Sequence, residues 1–239
     1  DGQVAVSCVP ASGSIFPLGD TTVVCSATDV RGNTGTGSFT VSVVDTTAPT
    51  VGAHDNLTVE AAGPAGAVVA YTAPSASDLV DGPVTVTCAP PSGWPFPLGP
   101  TTVTCSATDA RGNAGSSTFT VTVVDTTGPS VGAHADVVAE ATGPTGAMVP
   151  YAAPSASDVV DGPVAVACAP ASGTVFPLGP TTVTCSATDA HGNIGTGTFV
   201  VTVQDTTAPV VTAPAGITVP ATSREGAAVV YPTATATDL

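Results

Sequence analysis

Hydrophobic and polar residues alternate along short stretches of this chain. Val103, Cys105 and Ala107 are separated by hydroxyl residues, and the segments 84–88 and 118–123 alternate in the same way. A period of two predicts half-buried antiparallel strands, and no segment shows the period of a helix. Six or seven such strands in about 80 residues, separated by proline and glycine, predict an immunoglobulin-like β-sandwich.

The whole pattern repeats about every 80 residues. Phe-Pro-Leu-Gly-x-Thr-Thr-Val begins at Phe16, Phe96 and Phe176. Asp-Thr-Thr-x-Pro begins at Asp45, Asp125 and Asp205. A fixed period of this fidelity predicts a tandem array of like modules.

The Asp-Thr-Thr motif marks the end of each module. It divides the chain into residues 1–47, 48–127, 128–207 and 208–239. The two middle segments are complete modules, 1–47 matches the C-terminal part of a module, and 208–239 matches the N-terminal part. The predicted fold class is therefore all-β: tandem immunoglobulin-like β-sandwiches, two complete modules flanked by two partial ones.

The two partial modules have two explanations. The chain is either a segment of a longer continuous array, or a subunit that donates strands to the incomplete module of its neighbour, as in β-strand addition. Intact-mass analysis separates them, because a species of about 23 kDa contradicts the continuous array. Both explanations predict a fibre-like assembly in which the partners are further copies of the chain, head to tail.

Each repeat places two cysteines on inward faces. Six cysteines allow fifteen pairings in general, but the repeat favours pairing within each module. The predicted disulfides are Cys8–Cys25, Cys88–Cys105 and Cys168–Cys185. Disulfides of this kind predict an oxidising, extracellular or cell-surface location.

The combined motifs resemble a known family. The run Val-x-Val-x-Cys-x-Pro-x-Ser-Gly-x-x-Phe-Pro-Leu-Gly-x-Thr-Thr-Val-x-Cys-x-Ala-Thr-Asp-x-x-Gly-Asn closely resembles the hyalin repeat, or HYR domain, over essentially the whole chain. The resemblance implies an immunoglobulin-like fold, extracellular modules in multiple copies, and roles in adhesion and matrix. It brings no catalytic residues. The animal repeats often have a further cysteine after the Gly-Asn turn, whereas 115–119 of this chain contains none.

Composition and charge narrow the choice of partners. Eighteen acidic residues against three arginines and no lysine give a net charge of −15, which disfavours nucleic acid and anionic lipid. Mean hydropathy is +0.40, but no apolar run reaches the 18 or so residues needed to span a bilayer. The 43% apolar content is mostly alanine and valine, and only 4% is aromatic, which favours several thin cores over one large core.

The sequence contains no recognisable catalytic motif, so we expect no enzyme activity and no required cofactor. The repeated His54 and His134 follow the linker proline and are expected to pack at the module junction. One glycosylation sequon begins at Asn56, and Asp136 replaces it in the next module.

Repeated acidic residues are the candidate calcium ligands, because hard cations require several oxygen donors. They are Glu60, Asp78, Asp81, Asp125, Glu140, Asp158, Asp161 and Asp205. The alternative is that the Asp-x-x-Asp-Gly segments and Asp109-x-x-Gly-Asn113 are turns in which the aspartates accept backbone N–H bonds. A rise in melting temperature with calcium, abolished by a chelator, would favour the first interpretation.

Three functions fit these features. The first is a structural, non-catalytic component of an extracellular filament or surface fibre. The second is the stalk or ligand-binding region of a cell-surface adhesin, with cell-surface or matrix glycans or proteins as partners. The third is an accessory region of a large secreted hydrolase. Regular fibres favour the first, and isolated chains that bind glycans favour the second.

Overall fold

The computed structural model describes residues 2–239. Within this range the secondary structure consists of β-strands and turns, without a helix. This confirms the predicted all-β class. The alternating valine, threonine and alanine residues favour strands, because one side of each strand can be buried while its hydroxyl side faces water.

Residues 2–47 form one three-stranded antiparallel sheet. Its strands are β1 (Ser7–Val9), β2 (Gly19–Thr28) and β3 (Thr34–Val43), in the order β1-β2-β3. Val23 is buried on this sheet, whereas Phe39 is 54% exposed.

Residues 48–127 contain nine short strands in three sheets. They are β4 (Thr50–Val51), β5 (Leu57–Glu60), β6 (Ala67–Val69), β7 (Ala76–Asp78), β8 (Gly82–Val84), β9 (Val86–Ala89), β10 (Trp94–Phe96), β11 (Gly99–Thr108) and β12 (Ala114–Val124). The sheet orders are β4-β7-β8, β10-β6 and β5-β12-β11-β9.

Residues 128–207 repeat this arrangement. The strands are β13 (Ser130–Val131), β14 (Val137–Glu140), β15 (Ala147–Met148), β16 (Ala156–Asp158), β17 (Gly162–Val164), β18 (Val166–Ala169), β19 (Val175–Phe176), β20 (Gly179–Thr188) and β21 (Ile194–Gln204). The sheet orders are β13-β16-β17, β15-β19 and β14-β21-β20-β18. The edge strand β14 pairs with β21 in parallel, whereas the other pairs of this sheet are antiparallel.

Residues 208–239 contain the last two strands, which pair with each other. They are β22 (Val210–Thr212) and β23 (Thr235–Thr237).

A module has nine strands and not the six or seven expected, in part because a single run of chain serves two sheets. β17 pairs with β16, and one residue later β18 pairs with β20. The alternating pattern continues through the change of sheet, so the sequence predicts one strand where the structure has two. Such a change of sheet lets a short chain cover both faces of the core.

The core of residues 128–207 consists of the inward residues of the four-stranded sheet and of the strands opposite it. Phe176, Val183 and Val201 are fully buried. Ala147 and Val149 pack in the same cluster from the other side. The core is thin because most of its side chains are small, in agreement with the composition.

The structure contains three disulfides in the pairs that the repeat predicts: Cys8–Cys25, Cys88–Cys105 and Cys168–Cys185. The cysteines of each pair lie directly opposite each other on neighbouring antiparallel strands, with 4.0 Å between their Cα atoms. Each disulfide therefore joins two strands of the same sheet.

The backbone contacts divide the chain into two compact units. One contains Asp1–Val59 and Val68–Thr122, and the other contains Glu60–Ala67 and Val123–Leu239. The first unit includes the junction after residue 47, and the second includes the junctions after residues 127 and 207.

Candidate functional site

The Asp-Thr-Thr segment at the end of a module is held by a glutamate of the same module. The Glu60 carboxylate accepts hydrogen bonds from the backbone N–H and hydroxyl of Thr126 and from the hydroxyl of Thr127, at 2.7–2.9 Å. Glu140 holds Thr206 and Thr207 in the same way. These hydrogen bonds lower the pKa of both glutamates, the bond from the threonine backbone N–H most of all.

A histidine and a tyrosine cover the same phenylalanine in each complete module, Phe119 in the first and Phe199 in the second. The His134 ring lies against Phe199, with centroids 4.0 Å apart, and Tyr151 meets Phe199 edge-on at 5.0 Å. His54, Tyr71 and Phe119 repeat this cluster. Burial raises the pKa of both tyrosines.

A turn of each complete module contacts the end of the preceding segment. Asp109 accepts hydrogen bonds from the backbone N–H of Arg111 and Asn113 and from the side-chain amide of Asn113. The same amide donates to the carbonyl of Asp45 at 3.3 Å. At the next junction Asn193 donates to the carbonyl of Asp125 at 3.2 Å.

Four aspartates converge at each of these junctions. In both groups every residue offers one carboxylate oxygen, and these oxygens lie within 4.8 Å of one another. The first junction cluster contains Asp45, Asp78, Asp81 and Asp109, and the second junction cluster contains Asp125, Asp158, Asp161 and Asp189.

The first three members of each cluster come from two parts of the chain. Asp45 ends one segment, and Asp78 and Asp81 come from the Asp-x-x-Asp-Gly turn of the next module. The turn itself is formed as the alternative interpretation predicts: Asp78 Oδ1 accepts the backbone N–H of Val80 at 2.7 Å and of Asp81 at 3.0 Å. These two bonds, that of Asp81 first, lower the pKa of Asp78.

The fourth member begins the Asp-x-x-Gly-Asn turn. Burial, the largest single influence, raises the pKa of Asp109, but the donors of Asn113, Arg111 and Gly112 together outweigh it, so that the pKa is lowered. Asp189 has the same environment and a pKa lowered for the same reason.

One basic residue stands beside each cluster. Arg111 Nη1 contacts Asp81 Oδ1 at 2.7 Å in the first cluster. In the second, His191 Nδ1 hydrogen-bonds Asp161 at 3.2 Å and lies equally close to Asp125. The bond to Asp161 raises the pKa of His191.

The structure brings together five of the eight candidate calcium ligands. Asp78 and Asp81 lie in the first cluster, and Asp125, Asp158 and Asp161 lie in the second. Among the described residues, Glu60, Glu140 and Asp205 belong to neither cluster, and the two glutamates are engaged by threonines instead.

Sequence reasoning did not select Asp45, Asp109 and Asp189. The repeat contained the signal, because Asp45 occupies the same position in Asp-Thr-Thr as Asp125, and Asp109 and Asp189 occupy the same position in the Gly-Asn turn. Asn56, the sequon residue, is exposed and its Oδ1 accepts the backbone N–H of Thr120. Its glycosylation stays a prediction.

Comparison with known proteins assigns the family. The HYR domain model matches residues 1–43, 44–123 and 124–203. The chain belongs to the HYR domain family.

Two sea-urchin proteins are similar to this HYR chain. Hyalin of Strongylocentrotus purpuratus is 38% identical over 218 residues, which cover 86% of the chain and 18% of that protein. Hyalin of Lytechinus variegatus is 35% identical over 213 residues, covering 84% of the chain and 40% of that protein. The chain thus spans less than half the length of either relative.

Solved structures with some likeness are protocadherin fragments. The protocadherin gammaB7 EC3-6 cis-dimer structure has a TM-score of 0.36 and 17% identity, over 82% of this chain and 61% of that one. The protocadherin gammaB4 extracellular domain has a TM-score of 0.34 and 18% identity, over 82% and 40%.

HYR repeats and three disulfides characterise an extracellular protein of the adhesion type. In the described part of the chain there is no helix long and apolar enough to cross a membrane.

Proposed function

We propose that the chain is a structural, non-catalytic component of an extracellular filament or surface fibre, built from HYR modules joined head to tail. The observation that carries this proposal is the complementarity of the two partial modules. Residues 2–47 expose the face that a complete module covers, and residues 208–239 expose the side chains that provide the cover.

The first partial module presents an apolar cavity of about 280 Å³, lined by residues that include Phe16, Val23, Phe39 and Val41. Phe39 is 54% exposed, whereas its counterpart Phe199 in a complete module is 4% exposed. We call the surface around Phe39 the receptor face.

The last partial module carries the matching apolar residues. Ile217, Val219, Val229 and Tyr231 occupy the positions of Val137, Ala139, Val149 and Tyr151 in the preceding module. Those four pack into or against the core of the complete module. In residues 208–239 their counterparts are 41–67% exposed. We call this segment the donor segment.

The receptor face also has open space where the backbone of the donor segment would lie. At Gly195 an added Cβ would lie 1.6 Å from the Pro129 carbonyl oxygen, so the backbone just before the first strand of the module passes directly over this glycine. The equivalent Gly35 has open space around it, with nothing within 4 Å of an added Cβ. A donor segment placed as in the complete module would seat the backbone of Pro209 over Gly35.

Burial of these faces gives the driving force. Apolar surface removed from water contributes about 25 cal/mol per Å², and β-strand addition supplies main-chain hydrogen bonds as well. The donor segment can come from a second copy or from a covalently continuous neighbour, since the local contacts are the same in both.

Sedimentation velocity and negative-stain electron microscopy of the 239-residue chain test the proposal. We expect concentration-dependent linear association of the wild-type chain. Gly35→Ala should abolish it without changing the melting of the complete modules, because its methyl group blocks only the seat of the incoming backbone.

The matched control is Gly37→Ser, because serine stands at the equivalent position 117 of a complete module. This variant should associate as the wild type does. A wild-type chain that stays monomeric at high concentration, or Gly35→Ala chains that associate normally, would contradict the proposal.

A further inference from the structure

We propose that each junction cluster is a calcium site, with the four carboxylates of Asp45, Asp78, Asp81 and Asp109 around one ion and those of Asp125, Asp158, Asp161 and Asp189 around another. The proposal does not depend on assembly of the chain, because each site lies within a single chain.

The geometry of the oxygens fits one ion. Ca²⁺ binds oxygen ligands at about 2.3–2.6 Å, so two ligands on opposite sides of the ion are about 4.6–5.2 Å apart. The candidate oxygens of each cluster lie within 4.8 Å of one another. Four oxygens of different carboxylates can therefore surround a common centre with little rearrangement.

Unpartnered buried oxygens point to a ligand independently of the clustering. Asp45 and Asp78 are 8% and 6% exposed, and Oδ2 of each is buried without a hydrogen-bond partner. Asp125, 8% exposed, also has an Oδ2 without a hydrogen-bond partner, and the nearest basic atom is His191 Nδ1 at 3.2 Å. A buried carboxylate oxygen without a partner is costly, and a cation in the cluster would satisfy it.

Hydrogen bonds within the chain hold the other oxygen, Oδ1, of Asp45 and of Asp78. Asp45 Oδ1 accepts from the backbone N–H of Thr47 at 3.1 Å and from its hydroxyl at 2.7 Å. Asp78 Oδ1 accepts from the backbone of Val80 and Asp81. One oxygen therefore orients each carboxylate, and the other remains available. For Asp45 and Asp78 these bonds and a cation site are compatible, because they use different oxygens. Asp81 and Asp109 already accept hydrogen bonds at both oxygens, so a cation would share their lone pairs with those donors.

The local charge favours a divalent cation. Each cluster contains four carboxylates, and in the first cluster the Arg111 guanidinium is the one positive charge of the described residues in contact with them. Carboxylates held this close repel one another strongly. Asp81 and Asp161 keep partly exposed side chains, at 22%, which leaves a path for an ion and its remaining waters.

The donors select calcium among common cations. All four ligands are carboxylate oxygens, which suit hard cations and not thiophilic metals. Mg²⁺ requires near-octahedral ligands at about 2.0–2.1 Å and retains several waters, whereas Ca²⁺ accepts several carboxylates in irregular geometry. Four carboxylates from three separate segments are the kind of ligand set that suits Ca²⁺.

The proposed ion would connect the end of one module to the module that follows it. Asp45 and Asp125 each belong to the Asp-Thr-Thr segment that precedes a module, whereas the other three ligands belong to that module. An ion held by all four ties the segment to the module that follows it.

Calorimetric titration of the metal-free chain with CaCl₂ tests the sites. Asp78→Asn keeps an oxygen to accept the turn N–H groups but replaces the free carboxylate oxygen. It should remove one binding site per chain, and Asp158→Asn should remove one more. In the double variant the rise in melting temperature caused by millimolar calcium should disappear.

The matched control is Asp136→Asn. Asp136 lies outside both clusters, and asparagine already performs its hydrogen-bonding role at position 56. This variant should bind calcium with unchanged stoichiometry. Circular dichroism in chelator should show all variants folded. No heat and no thermal shift with millimolar calcium, full binding by the folded double variant, or equal affinity for Mg²⁺ would overturn the proposal.

Discussion

At the scale of single residues, two glycines mark where the backbone of one segment lies on another. An added Cβ would lie 1.9 Å from the Pro49 oxygen at Gly115 and 1.6 Å from the Pro129 oxygen at Gly195. Atoms cannot approach so closely, so any side chain there must displace the first strand of the module.

We predict that Gly195→Ala destabilises its module by at least about 2 kcal/mol, as overpacking of a tight contact does. Gly35→Ala is the control, because its surroundings are open, and it should change stability by less than about 0.5 kcal/mol. Urea denaturation of both variants measures this. Equal stability of the two would contradict the strand placement.

The glutamates that hold the Asp-Thr-Thr segments predict a dependence on acid. Because hydrogen bonds lower the pKa of Glu140 below its usual 4.5, its stabilisation is fully present above that pH and is lost as the pH falls through the lowered pKa. Glu140→Gln should therefore melt below wild type at neutral pH, and the difference should shrink in acid.

Thermal melts in chelator across this pH range make the comparison. The same gap between Glu140→Gln and wild type at every pH would show that the carboxylate charge is not involved. Asp136→Asn controls for loss of one negative charge elsewhere in the module.

Sequence reasoning at this scale succeeded where a residue's role follows from the repeat. The cysteine pairs are opposite each other because both occupy inward positions of strands that the pattern itself predicts. The junction aspartates were found only in part, since Asp109 is close to Asp45 through folding and not through sequence spacing. Glu60 has the carboxylate that a calcium ligand requires, but it accepts hydrogen bonds from threonines 66 and 67 residues away. Sequence spacing does not reveal those contacts.

At the scale of elements, each disulfide joins adjacent strands that a short loop connects. The cysteines are 17 residues apart. A cross-link over such a loop stabilises by about 3 kcal/mol through restriction of the unfolded chain, which is considerable for a module with so thin a core.

Replacement of both Cys168 and Cys185 by alanine should lower the free energy of unfolding of its module by about that amount. Chemical denaturation under identical buffer conditions measures the loss. The pair Cys8 and Cys25 provides the comparison, since both are only partly buried and the sheet around them is open. An unchanged denaturation midpoint in the Cys168 and Cys185 variant would contradict a stabilising role.

The alternation of residues predicted strands well but not their assignment to sheets. β17 and β18 form one alternating run, and only tertiary pairing divides it between two sheets. The parallel pairing of β14 with β21 was equally invisible, because alternation states which side of a strand is buried and not the direction of its neighbour.

At the scale of the whole molecule, the donor segment of one copy completes the receptor face of the next in the proposed filament. The complete module shows which atoms would meet. An added Cβ at Gly197 lies 3.3 Å from the Val131 Cβ, and the corresponding pair is Gly37 with Val211. Disulfides form when Cβ atoms are about 3.5–4.5 Å apart, so only a slight outward shift is needed for this pair to form a cross-link between copies.

The most direct test is therefore oxidation of the Gly37→Cys, Val211→Cys double variant followed by a non-reducing gel. We predict a ladder of covalent oligomers, whereas each single variant gives no product beyond a dimer. The control pair Gly37→Cys, Val138→Cys places its second thiol on an exposed residue of a complete module and should give no comparable ladder. Absence of a ladder from Gly37→Cys, Val211→Cys, or an equal ladder from the control pair, would contradict head-to-tail completion.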